Sequence, residues 1–159
     1  MGDRVMFVTA HLQNQIRALL VGLDQRRRWL ENLPEGLDEE KGVSFTTQLA
    51  TERALFTAVE YMTDIASELI DALVMREAGG YLDLLKVLAE ESVVTDEWLS
   101  RVEPLVEFRS KLLRLHTTIT AAECLQMTQV ANQVIRPFIR AIANYVNLPD
   151  PFIDAKITL

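Results

Sequence analysis

Apolar residues recur every three or four positions through most of this chain, and nowhere do they alternate. Leu12, Ile16, Leu19, Leu23 and Leu30 form one apolar stripe on a helix. Leu55, Ala58, Tyr61, Met62, Ile65, Leu69, Ala72 and Leu73 form a second, wider one. A half-buried strand needs a period of two, and no segment shows it. This pattern predicts an all-α fold. The first helix is expected over residues 5–33, stopped by the turn signal Pro34-Glu35-Gly36. The second is expected over residues 44–76, with Ser44 as its N-cap and Gly79-Gly80 as its end.

A short helix follows over residues 81–90, with Leu84, Leu85 and Leu88 inward. Thr95 caps the next, and Val94 is placed to pack on Leu99 as a hydrophobic staple. That helix carries Trp98, Val102, Leu105 and Phe108, and Pro104 predicts a kink or fresh start within it. Thr117-Thr118-Ile119 weakens it with three β-branched residues in a row. Thr120-Ala121-Ala122-Glu123 is a capping box opening the last long helix, expected to bend at Pro137 and reach Tyr145. The expected architecture is a bundle of about five helices. A single helical domain spans residues 1–147, and residues 148–159 form a C-terminal tail.

A length of 159 residues suits one domain with a sizeable core. The net charge of −7 excludes nucleic-acid binding through a global field, so any such site must be a local basic patch. Cys124 is the only cysteine, which excludes an intrachain disulfide and a cysteine metal cluster. With no long apolar run and no leader pattern, the chain is expected in the cytoplasm and not in a membrane. No Glu-x-x-His, phosphate-binding glycine loop or nucleophile elbow occurs, so neither a metal site nor a cofactor is predicted.

The polar residues divide into bland and suggestive. Cys124 lies in the first turn of a helix, where a thiolate is favoured, but a small buried residue is the expectation. His11 is expected at the surface. Arg26-Arg27-Arg28 fans around the end of the first helix, where the dipole accounts for three arginines without a phosphate. Glu60 and Asp64 read as a solvated helix edge. Arg109 and His116 are seven apart, so an ideal helix sets them about 20° apart on one face. A guanidinium grips phosphate through two parallel hydrogen bonds, and an imidazole moves protons near neutral pH. Together they have the chemistry to cleave RNA without a metal.

The chain also resembles a known family over residues 49–147. Four segments carry the likeness in order: Ala58-Val59-Glu60-Tyr61-Met62-Thr63-Asp64-Ile65-Ala66, Tyr81-Leu82-Asp83-Leu84-Leu85, Val93-Val94-Thr95 and Phe108-Arg109-Ser110. They resemble the HepT-like family of HEPN-fold proteins. The resemblance implies a symmetric homodimer whose subunits each bring an Arg–four to six residues–His motif to a shared cleft. It implies a metal-independent endoribonuclease of the toxin–antitoxin kind. It also implies a nucleotidyltransferase partner that silences the toxin by adding AMP to a tyrosine just past the histidine.

The motif departs from the usual Arg-Asn-x-x-x-His-x-Tyr. Aligned on Arg109, Ser110 takes the asparagine place, Arg114 the histidine place and His116 the tyrosine place. AMP transfer therefore has no tyrosine at that position. His116 fits only the longest allowed spacing. Arg114 projects about 140° from Arg109 on an ideal helix and reaches phosphate only if the helix unwinds. Two readings stay open. One is a ribonuclease using Arg109 and His116; the other is a dimeric binding partner that cuts nothing. Both expect a homodimer, on the ground that the second helix is too broadly apolar for a monomer.

Overall fold

Thr9 starts the first helix later than its apolar pattern suggests. Its backbone is extended (φ −85°, ψ 160°), and its hydroxyl accepts the Leu12 N–H at 3.1 Å. The computed structural model describes residues 7–33 and 44–149. The turn at Pro34-Glu35-Gly36 lies outside those residues, as do Val5 and the chain beyond Pro149. The described residues form five α-helices: α1 (Ala10–Glu31), α2 (Phe45–Ala72), α3 (Tyr81–Glu90), α4 (Asp96–Arg114) and α5 (Ala121–Tyr145). A 3-10 turn, His116–Thr118, joins the last two, and no strand occurs among the described residues.

The caps fall where their chemistry requires. Ser44, Thr95 and Thr120 each accept a backbone N–H three residues on, and Glu123 completes the capping box by accepting from the Thr120 N–H at 2.9 Å. The end of α2 differs from expectation. It stops at Ala72 rather than near Arg76, because Val74 turns left-handed (φ 52°) and the Met75 N–H doubles back to the Ile70 carbonyl at 3.0 Å. That turn drops Met75 into the core. Arg76, no longer helical, bridges Asp83 and Glu90 of α3. Gly79-Gly80 thus opens α3 instead of closing α2, and the Gly79 N–H donates to Asp83 Oδ2 at 2.8 Å.

All four other helices pack against α2. The greater part of its broad apolar face, Leu55, Ala58, Val59, Met62, Ile65, Ala66 and Leu69, is buried within the chain. The width of that face is therefore satisfied by the chain's own helices and supplies no reason for a dimer. The apolar residues left open include Phe45 and Leu49 at the start of α2, Val74 just past its end, and Leu113 and Leu115 around the end of α4.

Neither internal proline restarts a helix. α4 continues through Pro104 and α5 through Pro137. Both prolines lie on the exposed side, where the carbonyl a turn earlier can bond to water instead. Beside Pro137 the two helices are locked together. Trp98 stacks on Phe138 (centroids 5.2 Å apart) and donates its indole N–H to the Val134 carbonyl at 2.9 Å.

Gly22 sets the spacing of α1 and α2, since a Cβ there would collide with the Tyr61 ring. Gly22→Ala gains about 1 kcal/mol of helix propensity. It forces the ring aside at about 1–3 kcal/mol. We expect a net loss of about 1 kcal/mol in denaturant titration. A gain in stability would mean that Tyr61 moves freely.

Candidate functional site

The C-terminal half of α4 lies against α2, and α3 closes the third side. Phe108 points into the core, which turns Arg109 toward α2 and leaves Ser110 exposed. Arg109 is only 11% exposed. Its Nε donates to Glu60 Oε1 at 2.5 Å. Its guanidinium carbon lies 3.5 Å from the Tyr81 ring centroid and 5.2 Å from that of Phe56. The other Glu60 oxygen accepts the Tyr81 hydroxyl at 3.3 Å. Among the described residues neither Nη of Arg109 meets an acceptor. The side chain is thus held in place by a carboxylate and an aromatic ring, with the outer part of its fork free.

Glu60 is not the solvated edge residue that its sequence context suggests. It is 28% exposed and spends both oxygens on Arg109 and Tyr81. Asp64, one turn on, is exposed as expected. Partial desolvation, and then the Glu60 charge, push its carboxyl above the usual range. Burial and the same Glu60 charge raise the Tyr81 phenol, so it remains a protonated donor at neutral pH.

His116 is placed differently from the ideal-helix reading. α4 ends at Arg114, Leu115 breaks the helical geometry (φ −122°, ψ 39°), and His116 opens the 3-10 turn. The seven-residue helical register therefore does not hold to its end. The run of β-branched residues after His116 gives the reason. His116 is exposed, with Nδ1 3.4 Å from the Leu112 carbonyl. A proton on Nδ1 directed at that carbonyl leaves Nε2 as the basic nitrogen. Arg114, the last residue of α4, is exposed too.

Phe56 connects the pair. His116 lines a groove of about 340 Å³ with Glu52, Arg53, Phe56, Leu112 and Leu113. Arg109 sits over the same Phe56 ring, and so does Arg53, at 5.5 Å. The groove thus has the Arg53 guanidinium, an aromatic ring and an imidazole in its lining, and Arg109 reaches it only through the shared Phe56 ring. Burial pushes the Glu52 carboxyl above its ordinary range. Sequence reading missed Arg53, Phe56, Glu60 and Tyr81 as site residues. The available signal was the stripe Leu49, Arg53, Phe56, Glu60 on one side of α2, which mixes charge and open apolar surface.

The remaining candidates fall outside this groove. His11 is exposed. Arg27 is buried in ion pairs with Asp24 and Glu31, and Arg28 pairs with Asp24, so ion pairs rather than the helix dipole hold two of the three basic residues. Among the described residues no three His, Cys, Asp or Glu side chains gather as a metal site. Cys124 is fully buried, and burial pushes its thiol up to about 12. The thiolate is thus scarce at pH 8. The folded protein should therefore leave a disulfide reagent unreacted until denaturant is added. Stoichiometric labelling of the native state within minutes would contradict the burial.

Comparison with known proteins agrees with this architecture. The solved structure of YutE from Bacillus subtilis, described as a cytosolic protein of unknown function, superposes with a TM-score of 0.76 at 20% identity, covering 85% of this chain and 90% of that one. In sequence, the chain is 24% identical over 99 residues to the Bacillus subtilis (strain 168) protein named "Putative RNase YutE", covering 62% of this chain and 69% of that protein. No described helix is long and apolar enough to cross a membrane. The HepT-like family, described as Ribonuclease HepT-like, matches residues 23–142. That span holds every residue of the groove, and the chain belongs to the HepT-like family.

Proposed function

We propose that this chain is a ribonuclease that cuts RNA at the α2–α4 groove, with Arg109 and His116 as its working pair and no metal or cofactor. The observation that carries the reading is the free Nη edge of Arg109 above the same Phe56 that lines the His116 groove. A phosphodiester held on that edge takes two charge-assisted hydrogen bonds. His116 Nε2 accepts the 2′-hydroxyl proton as O2′ bonds to phosphorus. The P–O5′ bond breaks, and the products are a 2′,3′-cyclic phosphate and a free 5′-hydroxyl. Arg109 is preorganised by Glu60 and Tyr81 for the charge that grows on the phosphorane oxygens.

The same reading extends to a homodimer. Phe45, Leu49, Leu113 and Leu115 leave open apolar surface on the elements that carry the site. A two-fold pairing there covers that surface and brings a second His116 to protonate the leaving 5′-oxygen. Sedimentation should give about twice the 18.0 kDa chain mass, and a species at one chain mass at micromolar concentration would count against it. A cytoplasmic toxin held by a nucleotidyltransferase antitoxin fits this picture. Ser110 and Arg114 are exposed beside the groove and able to meet the RNA backbone.

One feature favours the non-cutting alternative. Arg109 is already paired with Glu60, so part of its charge is neutralised. Incubating the pure protein with total RNA, with and without chelator, separates the two. Chelator-resistant cleavage ending in cyclic phosphate supports the nuclease. Intact RNA on every substrate supports a binding partner.

A further inference from the structure

A second groove lies on the other side of Arg53. It has a volume of about 330 Å³ between α1 and α2, lined by Gln25, Arg26, Trp29, Ala50, Arg53, Ala54 and Thr57. Arg53 borders both this groove and the one holding His116, so the two meet across a single exposed side chain. Among the described residues no carboxylate lines it. Among the described residues Arg26 donates only to neutral acceptors: Thr57 Oγ1 at 3.3 Å, the Gly22 carbonyl at 3.3 Å and Gln25 Oε1 at 3.1 Å. The flat side of its guanidinium rides over the Tyr61 ring at 4.9 Å. Among the described residues Arg53 touches only Phe56 in this way and pairs with no acid. The neighbours of Arg26 behave oppositely, since Arg27 and Arg28 are tied to Asp24 and Glu31. The basic run at the end of α1 thus sends to the groove one guanidinium that has no acidic partner among the described residues, beside half-buried Trp29.

We propose that the α1–α2 groove binds single-stranded RNA beyond the cutting point, with Trp29 stacking a base and Arg26 and Arg53 holding the flanking phosphates. This rests on the ribonuclease reading for its direction, since Arg53 joins the track to the groove that His116 lines. Interleaved arginines and aromatic rings (Arg109, Phe56, Arg53, Trp29, Arg26, Tyr61) are what a strand of unpaired nucleotides needs. Its bases offer π-faces to the rings, and its backbone offers charge to the guanidinium groups.

The test separates binding from cutting. A short labelled single-stranded RNA with methylated 2′-hydroxyls cannot be cleaved, and its affinity is read by anisotropy. Trp98 is buried, so tryptophan quenching on titration reports Trp29. The expected result is saturable quenching, with Trp29→Leu and Arg53→Ala each weakening binding roughly ten-fold. Arg53→Ala should also flatten the salt dependence by about 0.7 in log–log slope. Arg53 is exposed, so that variant stays folded even if Trp29→Leu does not. Unchanged affinity in Arg53→Ala overturns the track and leaves the nuclease reading to its own assay. Quenching in a wild type that cuts no RNA, with weakened binding in the two variants, keeps the track and removes the nuclease. A Trp29 signal that follows protein dilution and ignores RNA means a second copy of the chain fills the groove, and overturns the proposal.

Discussion

Arg109→Ala and His116→Ala each lower RNA cleavage by about a thousand-fold if the two side chains serve one transition state. The double variant should then be little worse than either single one, because removing one member of a unit already removes its function. Structure sharpens the controls. His116 is exposed on a 3-10 turn, so its loss should leave thermal stability unchanged. Arg109 is inside, so its loss strands the Glu60 carboxylate, and a modest fall in stability must be measured beside activity. Arg109→Lys is the better variant. It keeps the charge but loses the planar fork and the stack on Tyr81, so it should recover folding and little activity. Arg114 is the comparison, because it holds the place of the family's histidine at the exposed end of α4. Lost cleavage in Arg114→Ala with full cleavage in His116→Ala would reassign the site.

Most of the helical frame was legible in the sequence for a local reason. Caps such as Ser44, Thr95 and the Thr120–Glu123 box act within one turn, so the residues that decide them are adjacent in the chain. What was not legible depends on distance. Val74 and Met75 end α2 early because Met75 is drawn into the core, and periodicity cannot show that. Glu60 looked like an edge residue because its partner lies 49 positions away. Nothing local singles out Phe56, although two arginines lie over its ring. The broad apolar face of α2 is a parallel case. Sequence sees the width of a face, and only packing shows whether the chain's own helices cover it. The proposed pair, Arg109 and His116, was visible by spacing, but its geometry was not, since the helix ends between its two members.

A buried charge at the end of α1 carries the other large effect, and it is one of stability. Asp24 is 2% exposed and Arg27 is 5% exposed. Asp24 Oδ1 accepts from Arg27 Nε at 2.6 Å, while Oδ2 accepts from Arg28 Nε at 2.8 Å. Removing the carboxylate leaves Arg27 inside with only Glu31, which is itself shared with Arg136. Breaking a buried pair on one side costs about 3–5 kcal/mol, because the remaining charge cannot regain water. Asp24→Ala should therefore lower the melting temperature by on the order of 10 °C. Asp24→Asn keeps an acceptor oxygen but loses the charge, and should fall between. The double variant Asp24→Leu with Arg27→Leu removes both charges and should recover most of the loss, since an apolar pair of similar bulk suits the site. A melting temperature within about 2 °C of wild type for Asp24→Ala would show that Glu31 alone satisfies Arg27. It would also remove the reason that Arg27 and Arg28 stay folded back while Arg26 alone faces the groove.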